Sequence, residues 1–269
     1  MNHFIEVEKG VKLFVQDWGT GKPIVFISGW PFDHRSYEYQ FNQIPNAGFR
    51  CIGIDMRGFG KSDKPYAKYD YGVFADDVQK VLQQLNIKDA TLLGHSMGGA
   101  ISLHYAAKYG NKHISKLMLC GAAAPILVQR SDFPDGWTKQ QVEDLLALCD
   151  KDRAKLLTDF GNNFFYKPDA LSPELANWFW ITGMEASPYA TKMCIKMFED
   201  SDLRPDMAKI KIPTLIAHAR ADKVCSYALG EILNKNIEGS KLVTFEKSGH
   251  GLFYDEREKF NKTVIDFAG

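Results

Sequence analysis

The chain has 269 residues, an apolar fraction of 45%, a charged fraction of 25% and a formal net charge of zero. That length suits one domain with insertions or a core plus a lid, and it buries enough apolar surface to fold without disulfides or metal. The balanced charge, with no long run of one sign, excludes the basic excess expected of a nucleic-acid partner. No apolar stretch is long enough to cross a bilayer, because the longest, 117–128, is broken by Gly121 and Pro125.

The first two apolar segments, 4–8 and 12–18, alternate in polarity and meet at Lys9-Gly10. They predict an antiparallel hairpin at a sheet edge. Ile24-Val25-Phe26-Ile27, Cys51-Ile52-Gly53-Ile54, Thr91-Leu92-Leu93 and Lys116-Leu117-Met118-Leu119 follow. Runs of this kind, without polar alternation, predict strands covered on both faces. Phe74, Val78, Val81, Leu82 and Leu85 recur at helical spacing, and 97–109 is rich in Ala and Leu. Strands alternating with helices imply right-handed crossovers and a mostly parallel sheet. Between about 125 and 205 the strand runs stop. This stretch holds Trp137, Trp178 and Trp180 and helical patterns such as 142–148. It reads as a helical cap (125–205) inserted into a core of 1–124 and 206–269; the alternative is an ordinary set of core helices. Thr214-Leu215-Ile216-Ala217 and Leu242-Val243-Thr244-Phe245 complete the strands.

The five cysteines, Cys51, Cys120, Cys149, Cys194 and Cys225, are odd in number and widely spaced. That pattern predicts reduced thiols, neither a disulfide framework nor a zinc site. The first ten residues lack a basic region followed by an apolar stretch, so no signal peptide is expected and the cytoplasm is the default location.

The chemistry concentrates in a few loops. Gly94-His95-Ser96-Met97-Gly98 stands between a strand and a helix, the setting of a nucleophile elbow. Such a turn strains the serine and leaves no room for side chains two residues to either side. The competing reading is a tight glycine-rich turn with an inert serine. The Met97 N–H would be one oxyanion donor. The second would be the Trp30 N–H in Ser28-Gly29-Trp30-Pro31, the loop after the third strand. Serine needs a base. His250 sits between glycines in Ser248-Gly249-His250-Gly251, after the last strand, and follows Ser96 in chain order. His3, His34, His104, His113 and His218 are weaker candidates, and His95 is expected to point away from the nucleophile. Asp222 follows the strand 214–217 closely and is the acid expected to orient His250; Asp202 and Asp206 are its rivals.

With these residues in place, the chain resembles the α/β-hydrolases over nearly its whole length, and within them the aryl esterases also known as cofactor-free, non-haem haloperoxidases. The segments that carry the resemblance are Ser28-Gly29-Trp30-Pro31, Asp55-Met56-Arg57-Gly58-Phe59-Gly60-Lys61-Ser62-Asp63, Gly94 to Gly99, Asp202-Leu203-Arg204-Pro205-Asp206-Met207 and Gly249-His250-Gly251. The resemblance implies the α/β-hydrolase fold, with a twisted, mostly parallel eight-stranded sheet flanked by helices. It implies Ser96 as nucleophile, Asp222 as acid, His250 as base, and Trp30 and Met97 as oxyanion donors. It implies a small ester as substrate, and neither cofactor nor metal. The loop 55–63 reads as structural. The chain departs from the family where Ser28-Gly29 replaces the usual His-Gly, and where Ala219-Arg220-Ala221 replaces a Gly-Asp-Gly type of run. Pro31, directly after the oxyanion Trp, goes with perhydrolysis in this family. The expected activity is therefore cleavage of small aryl or alkyl esters through an acyl-enzyme, with peracid formation as a side reaction. A C–C bond hydrolase, amidase or lactonase with the same triad, or a ligand receptor on a hydrolase scaffold, are the alternatives. Homo-oligomerisation is compatible with the sequence.

Overall fold

The computed structural model describes residues 2–269. Strands β1 (Asn2–Glu8) and β2 (Val11–Trp18) form the expected hairpin, turning at Gly10 with a φ of 78°. Then come β3 (Lys22–Ile27), α1 (Glu38–Gln43), β4 (Phe49–Ile54), α2 (Tyr71–Gln84), β5 (Ala90–His95), α3 (Met97–Tyr109) and β6 (Ile114–Cys120). Helices α4 (Lys139–Lys151), α5 (Arg153–Phe164), α6 (Pro173–Met184), α7 (Pro188–Asp200) and the short α8 (Arg204–Met207) precede β7 (Thr214–Ala219). The chain closes with α9 (Tyr227–Asn236), β8 (Lys241–Phe245), α10 (Leu252–Asp255) and α11 (Arg257–Ala268).

The strands form one 8-stranded sheet in the order β1-β2-β4-β3-β5-β6-β7-β8. β1, β2 and β4 pair antiparallel in succession; from β4 through β8 every pairing is parallel. The apolar runs explain this. Every residue of β5 and β7 is buried, and strands buried on both faces need cover on both sides. Alternate side chains supply the two layers. Val25, Ile27, Leu92, Leu117 and Leu119 pack into one apolar core. Ile24, Phe26, Leu93, Met118 and Cys120 pack into the other.

Helix α2 faces the first core with Phe74, Val78, Val81 and Leu82. The Asp70 side chain caps its start by accepting the Val73 N–H at 2.7 Å. The pattern at 142–148 lies inside α4, whose first turn is closed by a reciprocal capping box between Thr138 and Gln141.

Because β3, β5, β6, β7 and β8 run parallel, the loops that follow them share one edge of the sheet. Open α/β sheets bind ligands at that carboxyl edge. The segment 28–31, Ser96, Gly121, Asp222 and His250 all emerge there. No helix among the described residues is long and apolar enough to cross a membrane.

Candidate active site

Ser96 joins β5 to α3 with φ 54° and ψ −121°. A positive φ on a non-glycine residue stores strain, which persists only where the surroundings enforce it. Here they do. A Cβ on Gly94 would lie 2.1 Å from the Gly98 carbonyl oxygen, and one on Gly98 would lie 2.2 Å from that of Ile27. The spacing of glycines around Ser96 is thus a packing requirement. The Ser96 N–H donates to the Cys120 carbonyl at 3.0 Å and its carbonyl accepts from Ala123 at 3.0 Å, locking the turn to the end of β6.

Met97 opens α3, so its N–H has no intrahelical acceptor. The loop after β3 approaches from the other side, and a Cβ on Gly29 would lie 2.6 Å from Ser96 Cβ. That loop is tied in several places. The Phe32 N–H donates to the Gly29 carbonyl at 2.8 Å, and Ser28 Oγ donates to the Asp33 carbonyl at 2.8 Å. Trp30 Nε1 donates to the Thr191 carbonyl of α7 at 3.1 Å.

Asp222 and His250 meet. His250 Nδ1 lies 2.8 Å from Asp222 Oδ2, and both side chains are fully buried. The other carboxylate oxygen accepts the N–H groups of Val224 and Cys225, each at 2.8 Å, so the acid is fixed by its own loop. His250 Nε2 is buried and has no hydrogen-bond partner among the described residues. The Ser96 hydroxyl lies beside the Cys225 thiol; burial and the nearby Asp222 carboxylate push that thiol well above its usual range, leaving it protonated. Ser96, the acid loop and the His250 ring therefore share one buried corner.

The rival residues have other work. His104 Nδ1 pairs with Asp206 at 2.7 Å, and Asp202 holds Arg204. His3 faces Asp17, and His113 contacts the Ile87 carbonyl at 2.8 Å. His218 Nε2 donates to the Cys225 carbonyl at 2.9 Å and so braces the acid loop; burial pushes its imidazole below the usual histidine range. Arg220 stacks on Tyr227 at 3.8 Å and faces Glu246 at 3.7 Å. The departure from the family's acid run is thus absorbed locally, at the surface.

His34 pairs with Asp55 at 2.6 Å inside the group Asp33, His34 and Asp55. Their ligand atoms lie within 4.8 Å of one another, a spacing that could hold a metal ion. The carboxylates are already engaged: Arg35 binds Asp33, while His34 and the Lys61 N–H bind Asp55. This network joins the loop after β3 to the loop after β4, which fits the structural reading of 55–63.

Three supports of His250 were not visible in the sequence. His95 Nε2 donates to the His250 carbonyl at 2.9 Å, and the two rings lie 4.5 Å apart. The His95 side chain is thus turned toward His250. Burial, with the His250 ring close by, pushes the His95 imidazole well below the usual histidine range, so it is neutral. Phe164 meets the His250 ring edge to face at 5.3 Å. Asp255 accepts the Gly249 N–H at 2.9 Å.

The corner is closed, with Ser96 only 6% exposed and His250 0%. A cavity of about 290 Å³ is bounded by Trp30, Trp137, Leu145, Phe160, Lys223 and Val224. A larger one of about 430 Å³, between α5 and α6, is lined by Phe32, Phe164, Phe165, Phe179 and Trp180. Ser96, Asp222 and His250 line neither cavity; the smaller touches the loops after β3 and β7 at Trp30 and Val224, and the larger touches Phe32 and the Phe164 that packs on His250. Phe160 lines both cavities and meets the Trp30 ring at 5.1 Å.

Residues 22–257 match the alpha/beta hydrolase fold family. The chain is 45% identical to the AB hydrolase superfamily protein YisY of Bacillus subtilis, covering 100% of this chain and 99% of that protein. It is 30% identical to the bifunctional esterase/perhydrolase DCH of Acinetobacter calcoaceticus, covering 98% of each. Among solved structures, the esterase EaEST from Exiguobacterium antarcticum superposes with a TM-score of 0.97 at 43% identity, covering 100% of this chain and 99% of that one. The eight-stranded fold, the family match and these likenesses agree with the resemblance drawn from the motifs: this chain belongs to the α/β-hydrolase family and is a hydrolase similar to esterases and perhydrolases.

Proposed function

We propose that the protein is a carboxylesterase that cleaves small aryl or alkyl esters through an acyl-enzyme on Ser96. The observation that carries this reading is the Asp222–His250 pair at 2.8 Å, buried in the same corner as a serine held at φ 54°. Ser96 Oγ attacks the ester carbonyl while His250 Nε2 takes its proton. Asp222 accepts from Nδ1–H, fixes the tautomer and stabilises the imidazolium. The oxyanion accepts from the N–H groups of Trp30 and Met97, each contributing about 3 kcal/mol to the transition state. His250 then protonates the departing alcohol or phenol, and later takes a proton from the water that releases the acid. Trp30, Trp137, Leu145 and Phe160 in the 290 Å³ cavity support an apolar acyl or aryl group, with Asp144, Asp159 and Lys223 adding polar groups to the same wall.

Residues 125–205 act in this reading as a helical cap over a core of 1–124 and 206–269. Trp30 Nε1 anchored on α7, and Phe164 against His250, support that division. Five unpaired cysteines, four of them buried, support a reducing, cytoplasmic setting. Similarity to an esterase/perhydrolase, together with Pro31 after Trp30, supports peracid formation as a side reaction. There hydrogen peroxide attacks the acyl-enzyme carbonyl in place of water, releasing the peracid and free Ser96.

The test is hydrolysis of p-nitrophenyl esters from acetate to octanoate by wild type and Ser96→Ala. The reading requires turnover by wild type that falls at least about a thousandfold in the variant. Unchanged turnover in the variant would remove Ser96 from the mechanism. A ligand receptor would bind such esters with almost no turnover in either protein.

A further inference from the structure

His250 is flanked by Gly249 and Gly251, and the backbone there lies directly against residues 164–166, where α5 ends. The Gly251 N–H donates to the Phe164 carbonyl at 2.8 Å. The Gly249 N–H donates to Asp255 Oδ2 at 2.9 Å, and the Tyr166 N–H donates to the same oxygen at 3.0 Å. One carboxylate oxygen thus joins the residue before His250 to the inserted helices. Contact between the two backbones is close. A Cβ on Gly249 would lie 2.8 Å from Tyr166 N, and one on Gly251 would lie 2.7 Å from the Phe164 ring. The next residue continues the grip: Glu256 Oε2 accepts the Lys247 N–H at 2.9 Å and the Ser248 hydroxyl at 2.7 Å.

We propose that Asp255 is a positioning residue that sets the His250 ring and the Phe164–Tyr166 segment as a single unit, so that covering the site and aiming the base happen together. The inference rests on the reading of His250 as the base. Its geometry is specific. Asp255 touches neither Ser96 nor the His250 ring; it acts through two backbone N–H groups, one on each side of the contact. Without its oxygen both N–H groups would lose this acceptor. The local consequence is a shift of the Gly249–His250 backbone. A displacement of about 1 Å at a reacting group can lower a rate by about a hundredfold. Partial burial pushes the Asp255 carboxyl up to about 6 even though both N–H donors favour its charge.

The test is the second-order rate at which an alkyl fluorophosphonate labels the serine, read by intact mass, with the melting temperature of each variant alongside. This rate needs Ser96 and its base but no knowledge of the natural ester. Wild type should label and Ser96→Ala should not. Asp255→Ala should label about ten- to a hundredfold more slowly while remaining folded. Asp255→Asn, which keeps an acceptor oxygen, should recover most of the rate. Labelling of folded Asp255→Ala at the wild-type rate would overturn the proposal, as would equal slowing in the Asn and Ala variants. Should Asp255→Ala fail to fold, Asp255→Glu decides: it keeps the charge but moves the oxygen by one methylene, so slow labelling at an unchanged melting temperature is expected and the wild-type rate would overturn the idea. Labelling of Ser96→Ala as fast as wild type would defeat the serine-hydrolase reading itself, and the proposal with it.

Discussion

His95 Nε2 holds the backbone carbonyl of His250 at 2.9 Å, so the residue before the candidate nucleophile supports the candidate base directly. Both side chains are buried, and the contact spans 155 positions of sequence. Replacing His95 by Phe keeps an aromatic ring but removes the donor, leaving a buried carbonyl without its partner. The expected result is a loss of about tenfold in kcat, about 1.4 kcal/mol in the barrier, with KM little changed. A steady-state comparison on one p-nitrophenyl ester checks it; an equal change confined to KM would assign His95 to binding instead.

Asp222 divides its carboxylate between His250 on one oxygen and the N–H groups of Val224 and Cys225 on the other. Asp222→Asn can present an NH₂ group to Nδ1 and so stabilise the wrong tautomer. By analogy with other triads, kcat should fall by about ten thousandfold with the fold intact. Unaltered kcat would show that the acid lies elsewhere.

The Asp255 carboxyl also makes a statement about stability. Its folded value is raised from 3.8 to about 6, first by burial. The protonated form is therefore favoured by folding. That contribution is fully present below about pH 4 and is lost as pH rises through about 6. Asp255→Asn carries no such proton. Its melting temperature relative to wild type should climb between about pH 4 and 6 and then level off. Parallel curves across that window would show that the carboxyl is not raised.

Gly161 lies inside α5, and a Cβ there meets nothing within 4 Å among the described residues. Glycine in a helix interior is less favourable than alanine by about 0.5–1 kcal/mol. Gly161→Ala should therefore raise the melting temperature by about 2 °C without altering ester turnover. A lower melting temperature would mean that the glycine meets a packing demand.

Much of the fold was legible because the sheet is covered on both faces. Unbroken apolar runs such as Ile24 to Ile27 and Thr91 to Leu93 can serve few other purposes in a chain of this length. Strand ends were less clear: β3 starts at Lys22 and β6 at Ile114, where polar residues dilute the run. The elbow was legible for a steric reason, since Gly94 and Gly98 have no space for a Cβ. The pairing of His250 with Asp222 followed from chain order and loop position. What supports that pair was hidden. His95 and Asp255 act through backbone groups of other loops, and Phe164 through ring packing. Such contacts leave no periodicity and no spacing to read. The two cavities were equally invisible, because they depend on how α4, α5 and α6 rest on the Trp30 loop.

The most direct test of the central claim is a rapid acid quench during turnover of a p-nitrophenyl ester, followed by mass measurement of the peptide that contains Ser96. An acyl mass on that peptide, located at Ser96, should form with the burst of p-nitrophenol and be absent from Ser96→Ala. Full turnover with no acyl mass on the peptide, or with the mass retained in Ser96→Ala, would contradict the claim.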